Sequence, residues 1–299
     1  MPVEPTLHPG QVIAVHGRQY LVELHDGETL ACFPRGKRSE LACGDRVAVL
    51  RTARGQGVIE ATDPRRTLLY RSDLHRQKLI AANADLMIVV LAGAPSFYEE
   101  LLDRCLVAAE HQHIAALIVL NKFDLQPSVA VLERLQRYVA LGYEVVPLIA
   151  RQDVGPLRPR LAGHISVLVG QSGMGKSTIV NALVPDARAA IGDISIALDS
   201  GRHTTTHARL YRLGPDTTLI DSPGMQEFGL HHVSIGQLPH CFVEFRAWIG
   251  QCRFNDCRHL GEPDCAVQAA QARGDIDARR LAVYRKLVRE AQARDRRRY

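Results

Sequence analysis

The sequence predicts a multidomain protein: a small N-terminal β-barrel, a central α/β unit with a parallel sheet, and a mainly helical C-terminal unit. Three observations carry this. Short apolar runs separated by turn residues fill residues 10 to 62. From Asn83 to about Gly229, apolar runs of strand length alternate with amphipathic helical stretches. Beyond about Val233 the pattern is helical except around a cluster of cysteines and histidines. At 299 residues the chain exceeds one average domain, and the pattern shifts divide it as 1–65, 66–232 and 233–299.

In the barrel segment, Val12–Val15 runs through His16-Gly17 into Tyr20–Leu24, and Asp26-Gly27 opens Thr29–Phe33. A basic loop, Pro34 to Arg38, precedes Gly44-Asp45 and Val47–Leu50, and Gly55-Gln56-Gly57 leads to Val58-Ile59. Strands this short and this evenly spaced suit closure, which removes exposed edges. An OB-fold and an SH3-like barrel share the pattern. Thr62–Ser72, with Pro64, Arg65 and Arg66, reads as a linker.

In the central segment the strand candidates are Asp85–Leu91, Ala115–Leu120, Glu144–Ile149, Ile165–Val169 and Thr218–Ile220. Leu101–His111 and Val129–Leu141 are the helices between them. Such alternation implies a parallel sheet with helices on both faces. The C-terminal unit ends in a helix over Ala278–Arg294.

Composition narrows the class. The chain is 46% hydrophobic and 23% charged, enough apolar material for a packed core. No apolar run approaches the roughly 18 residues of a membrane helix. The start, MPVEPTLHPG, lacks a basic region followed by an apolar one, so a cytoplasmic protein with no membrane partner is expected. Seven cysteines are an odd number for a disulfide framework, and Cys252, Cys257 and Cys265 crowd together while Cys32, Cys43, Cys105 and Cys241 are scattered. The net charge is +5, and Arg273–Tyr299 holds ten Lys or Arg against four Asp or Glu. That basic end reads either as a solvated helix face or as a surface for an acidic partner such as RNA.

The strongest motif is Gly170-Gln171-Ser172-Gly173-Met174-Gly175-Lys176-Ser177, followed by Thr178. It follows an apolar strand and opens a helix over Lys176–Leu183, the setting of a phosphate-binding P-loop. Its glycines let backbone N–H groups turn toward phosphate oxygens, and the helix N-terminus adds partial positive charge. Lys176 would neutralise the β and γ phosphates, and the Ser177 hydroxyl would ligate Mg²⁺.

Base choice rests on Asn121-Lys122-Phe123-Asp124, directly after a strand. The Asp124 carboxylate can accept both N1–H and N2–H of guanine, whereas adenine presents an acceptor at N1, a mismatch that a hydrogen-bonding site punishes. Asn121 offers an amide to the other edge of the base, and the Lys122 stem can lie along its face. This argues against a P-loop ATPase or small-molecule kinase. Asp221-Ser222-Pro223-Gly224 stands where Asp221 can hold Mg²⁺ through water and the Gly224 N–H can approach the γ-phosphate. Between them, Gly201-Arg202-His203-Thr204-Thr205-Thr206 supplies a threonine for the Mg²⁺ shell, Thr205 being the first choice. The base motif precedes the P-loop, the reverse of the ordinary GTPase order, so the motifs are circularly permuted. The chain therefore leaves the catalytic unit just after Asp221–Gly224.

Cys252-x4-Cys257-x-His259-x5-Cys265 places three thiolates and one imidazole together. Four such ligands suit one closed, tetrahedral, structural Zn²⁺.

Together, GQSGMGKST, GRHTTT, DSPGMQEF, CRFNDCRHLGEPDC and the stretch from NADLMIVVLAGAPSF through LIVLNKFDL resemble the ribosome small-subunit-dependent GTPase A family over nearly the whole chain. The resemblance implies an N-terminal OB-fold, a permuted GTPase domain and a zinc domain. It also implies a monomer that binds the small (30S) ribosomal subunit and its rRNA, and that hydrolyses GTP to GDP during late subunit maturation. Met225 occupies the position where Ras-like enzymes carry a water-orienting glutamine, and the resemblance then makes His203 the residue that positions water. The family's Ser-Ala pair near the base is represented only by Ala150, in Leu148-Ile149-Ala150. The competing reading is an RNA-binding assembly module in which nucleotide only stabilises the fold.

Overall fold

The computed structural model describes residues 6–36, 40–72, 77–184, 208–223, 228–230 and 232–296. Five strands, β1 (Leu7–His16), β2 (Gln19–Leu24), β3 (Thr29–Pro34), β4 (Arg46–Ala53) and β5 (Gln56–Thr62), form the N-terminal barrel. Their order is β1-β2-β3-β5-β4, closed by pairing of β1 with β4, and β3 lies parallel to β5. This Greek-key closure settles the barrel as an OB-fold. Alternate residues point inward, so Val12, Tyr20, Val22, Leu30, Val47, Val49 and Ile59 make a core of its own.

The segment after the barrel is a correction to the linker reading. Leu68–Ser72 is a strand, β6, paired antiparallel with β7 (Gln77–Ala82). The buried Asp45 carboxylate accepts two hydrogen bonds from the Arg65 guanidinium, each 2.7 Å, and one from the Ala42 N–H. Asn83 donates through Nδ2 to the Gly44 carbonyl and accepts the Arg66 N–H through Oδ1. Polar residues that look like linker composition are thus consumed in fastening the barrel to the β6–β7 pair. Gly44 has φ +97°, and a Cβ there would sit 2.3 Å from the Ala82 carbonyl oxygen.

The central sheet has the order β10-β9-β8-β11-β13-β12. Its strands are β8 (Leu86–Ala92), β9 (Ala115–Asn121), β10 (Glu144–Pro147), β11 (Ile165–Val169), β12 (Arg209–Gly214) and β13 (Thr217–Asp221). All pairs from β10 to β13 are parallel; only β12 runs antiparallel. β12, which the sequence pattern did not reveal, joins this sheet to the barrel through Ala14 opposite Arg209, and Arg212 pairs with Glu23. Helices α1 (Glu99–His111), α2 (Pro127–Ala140), the single turn α3 (Arg158–Leu161) and α4 (Lys176–Leu183) connect the strands.

The C-terminal part is less helical than its pattern suggests. Short 3₁₀ turns at Leu238–Cys241 and Val243–Phe245 precede α5 (Ala266–Arg273) and α6 (Ala278–Arg296). Its apolar side chains, Phe242, Phe245, Tyr284 and Leu287 among them, belong to the same buried cluster as the central sheet. No described helix is long and apolar enough to cross a membrane.

Candidate functional site

The nucleotide motifs meet at the carboxyl edge of the sheet, where ligands of open α/β folds bind. β11 runs into the P-loop, β9 into Asn121–Asp124, and β13 into Asp221. Because β11 lies between β8 and β13, and β9 is one strand further, the permuted order leaves the three motifs adjacent in space.

The P-loop takes backbone conformations that favour glycine. Gly170, Gly173 and Gly175 have φ of +143°, +82° and +96°. A Cβ at Gly170 would lie 2.4 Å from the Val90 carbonyl oxygen, and one at Gly175 would lie 2.2 Å from Asn121 Nδ2. Lys176 is buried, and its Nζ donates to the carbonyls of Gly170 (2.8 Å) and Gln171 (2.9 Å). Burial lowers its pKa, against the attraction of the nearby Asp221 carboxylate. The cation therefore sits curled over the loop where phosphate oxygens would enter. Gln171 is buried, and its Oε1 accepts the Tyr98 N–H at 2.9 Å, which ties the P-loop to the start of α1. Met174 is buried, whereas Ser172, Gly173 and Ser177 are exposed and Thr178 is half-buried.

Asn121 is 2% exposed and spans two loops. Its Nδ2 donates to the Met174 carbonyl (2.9 Å), and its Oδ1 accepts the Ala150 N–H (3.0 Å). Lys122 has φ +56°, and its Nζ donates to the Ala94 carbonyl at 3.0 Å. Asp124 is exposed in the turn after β9. Asp221 is buried at the end of β13, and the following Ser222 hydroxyl donates to the Leu168 carbonyl (2.5 Å), pinning that strand end beside β11. His203, Thr205, Gly224 and Met225 lie outside the described residues.

Sequence reasoning missed two participants. The turn Gly93-Ala94-Pro95 after β8 supplies the acceptor for Lys122, and Pro95 lies against Gly173. The Gly-Ala-Pro run after a buried strand at this sheet edge is the signal that could have found it. Tyr98, 68% exposed, stands beside the P-loop with no sequence mark beyond its aromatic ring.

The Cys/His cluster assembles fully. The ligand atoms of Cys252, Cys257, His259 and Cys265 all lie within 4.8 Å of one another. His259 Nδ1 is 3.6 Å from the Cys252 and Cys257 sulfurs and 3.3 Å from that of Cys265. Metal–sulfur bonds of about 2.3 Å and metal–nitrogen bonds of about 2.0 Å at tetrahedral angles give edges of this size. The donor set therefore fits one four-coordinate metal ion, with Nδ1 rather than Nε2 of the imidazole as ligand. Supports surround the ligands. The Ala266 N–H donates to Cys252 Sγ, and Phe245 and Tyr284 flank the imidazole. Glu262 accepts backbone N–H bonds from Arg258, Leu260 and Gly261. Burial alone would raise its pKa, but these hydrogen bonds outweigh it and bring the value down to about 2.

Comparisons with known proteins agree with this geometry. The sequence pattern of the RsgA GTPase family matches residues 62–231. A relative from Nitrosospira multiformis, named small ribosomal subunit biogenesis GTPase RsgA, is 57% identical over 93% of this chain and 90% of its own length. One of the same name from Burkholderia pseudomallei is 54% identical over 94% and 92%. Among solved structures, YjeQ from Thermotoga maritima superposes with a TM-score of 0.73 at 29% identity, covering 96% of this chain and 99% of that one. YloQ, described as a circularly permuted GTPase, shares the fold with a TM-score of 0.70 at 23% identity, covering 98% of each chain. With its permuted P-loop and guanine motifs gathered on one sheet edge, the chain belongs to the RsgA GTPase family and is a GTP-hydrolysing enzyme.

Proposed function

We propose that this GTPase is a maturation switch of the small ribosomal subunit, binding the subunit through its rRNA as a monomer in the cytoplasm. The observation that carries the reading is the near full-length match, 57% identical, to a relative named for small-subunit biogenesis. In this proposal Asp124 reads the guanine, with Asn121 and Lys122 framing the base. Gly170, Gln171, Ser172, Gly173, Met174, Gly175, Lys176, Ser177 and Thr178 hold the phosphates, and Gly224 meets the γ-phosphate. Mg²⁺ would be held by Ser177 and Thr205, with Asp221 behind a water, and would supply charge neutralisation at the phosphates. The ion in the Cys/His cluster is Zn²⁺ with a structural role, since three thiolates and an imidazole leave it no open position. The units are 1–65, 66–232 and 233–299.

Met225 cannot hydrogen-bond water, so the isolated protein turns over slowly, at about 10⁻⁴ to 10⁻² s⁻¹ as unaided GTPases do. Docking on the subunit brings His203 to the attacking water. The test is GTP hydrolysis with and without purified small subunits. Stimulation is expected in the wild type and mostly lost in His203→Ala, with GTP and subunit binding nearly unchanged. A wild-type rate indifferent to small subunits would refute the reading and favour a binding module in which nucleotide only stabilises the fold.

A further inference from the structure

Lys122 to Leu125 form a hydrogen-bonded turn with Asp124 inside it. The Leu125 N–H donates to the Lys122 carbonyl at 3.0 Å, the closure of a β-turn. Lys122 enters the turn at φ +56°, a left-handed conformation that costs energy for any residue but glycine and persists only where neighbours hold it. Asp124 is exposed, and its side chain makes no hydrogen bond among the described residues. The place of its carboxylate therefore depends on the backbone of the turn.

Both ends of that turn are held by Ser128. Its Oγ donates to the Lys122 carbonyl at 2.9 Å, and its N–H donates to the Leu125 carbonyl at 2.9 Å. Serine near a helix start ordinarily turns its oxygen to the N–H groups of its own helix. Ser128, the second residue of α2, does not: the helix has no side-chain cap, and the hydroxyl is spent on the base motif. Ser128 is also fully buried. Gly93, in the turn after β8, closes over it so tightly that a Cβ there would lie 2.7 Å from both Ser128 N and Oγ. Water is thus kept from competing for the Lys122 carbonyl at this point. The same β8 turn supplies the Ala94 carbonyl that accepts Lys122 Nζ. Lys122 is gripped at its carbonyl by α2 and at its ammonium by the β8 turn.

We propose that Ser128 is a positioning residue for guanine recognition, setting the turn so that Asp124 accepts from N1–H and N2–H of the base together. The proposal rests on the reading of Asp124 as the guanine ligand and names what fixes that carboxylate. Accepting two donors at once needs distance and angle to be right for both, so a loosened turn loses the paired contact.

Inosine triphosphate (ITP) lacks the exocyclic amino group and offers Asp124 only N1–H, so the ratio of GTP to ITP affinity reads the second contact. Ser128→Ala leaves the Lys122 carbonyl its Leu125 partner, so the variant should fold. In the full-length protein it should lower that ratio about three- to tenfold, the worth of one neutral hydrogen bond. In hydrolysis the loss should fall on KM for GTP rather than on kcat. Ser128→Cys keeps the shape with a weaker donor and should lie between Ser128→Ala and wild type. In an Asp124→Ala background, Ser128→Ala should cost no further GTP affinity, because the carboxylate that it positions is gone. Reduced stability with an unchanged ratio in both Ser128 variants overturns the positioning role, and so does an equal loss with and without Asp124. If Asp124→Ala by itself keeps wild-type GTP affinity, it is the guanine reading that fails.

Discussion

Asn121 holds Met174: its Nδ2 donates 2.9 Å to the Met174 carbonyl inside the P-loop, while its Oδ1 takes the Ala150 N–H. A residue of the base motif is thereby the clasp between the phosphate loop and the loop after β10. Asn121→Ala leaves a buried N–H and a buried carbonyl without these partners, at a cost of about 1–3 kcal/mol. Denaturant unfolding of the nucleotide-free protein should show that loss, together with weakened binding of both GTP and GDP. Unaltered stability would mean that the clasp contributes nothing.

Asp124 faces the opposite test, because it is exposed and supports no other part of the fold in a described hydrogen bond. Asp124→Asn should leave stability unchanged and lower GTP affinity, by up to the order of 10⁴-fold for a site whose hydrogen bonds are mismatched. Binding of xanthosine triphosphate, which carries a carbonyl where guanine has its amino group, should rise. Competition titration against a fluorescent guanine nucleotide reads both changes.

Lys176 gives the nucleotide site a pH dependence. Burial holds its pKa below the ordinary 10.5 in the free protein, and phosphate oxygens favour the charged form, so the bound value is higher. GTP affinity should fall as pH rises through the free-state pKa, with a proton taken up on binding. Calorimetry in buffers of different ionisation enthalpy between pH 8 and about 10 checks this, and binding without proton uptake across that range contradicts it.

Metal content should be one ion per chain, and Cys257→Ser should lose it. Phe245 and Tyr284 pack on the His259 ring and Tyr284 bonds the Arg258 carbonyl, so the loss should also loosen α6. Elemental analysis and hydrogen exchange over residues 252–296 provide the measurements. Metal-free protein with unchanged protection would remove the structural role.

Asp103 is fully buried and pairs with Arg279 and Arg280, and the Tyr138 hydroxyl donates to it at 2.8 Å. Arg280 is 1% exposed. Asp103→Ala strips a buried cation of one of its two carboxylates and should cost about 3–5 kcal/mol. Arg137→Ala, which removes a partly exposed pair with Asp277 and an exposed hydrogen bond to the Arg134 carbonyl, should cost no more than about 1 kcal/mol. Equal costs in denaturant unfolding would show that burial does not set the strength of these contacts.

The residues themselves determined the nucleotide chemistry, because it depends on contiguous signals. A P-loop needs its glycines and lysine in one run between strand and helix, and a guanine motif needs its carboxylate three residues after its asparagine. The barrel strands and the Cys/His cluster were legible for the same reason, as alternation and residue spacing are local. The motif order even showed the permutation. What the sequence could not show were relations between distant segments. Thr62–Ser72 looked like a linker because Arg65 and Arg66 are polar, yet Arg65 is bound to Asp45 and the Arg66 N–H to Asn83, each about twenty residues away in sequence. Strand β12 carries Arg209 and Arg212 and too few apolar residues to stand out; it exists because it pairs with β13 on one side and with barrel strand β1 on the other. Asn121 reads from sequence as a base ligand, and only packing shows it gripping Met174. Likewise the ten cations from Arg273 onward are indistinguishable by charge. Tertiary structure sets Arg279, Arg280 and Lys286 of α6 against Glu99, Glu100, Asp103 and Glu244, while Arg294 pairs with its chain neighbour Asp295, since ion pairing depends on which carboxylates the fold brings within a few ångströms.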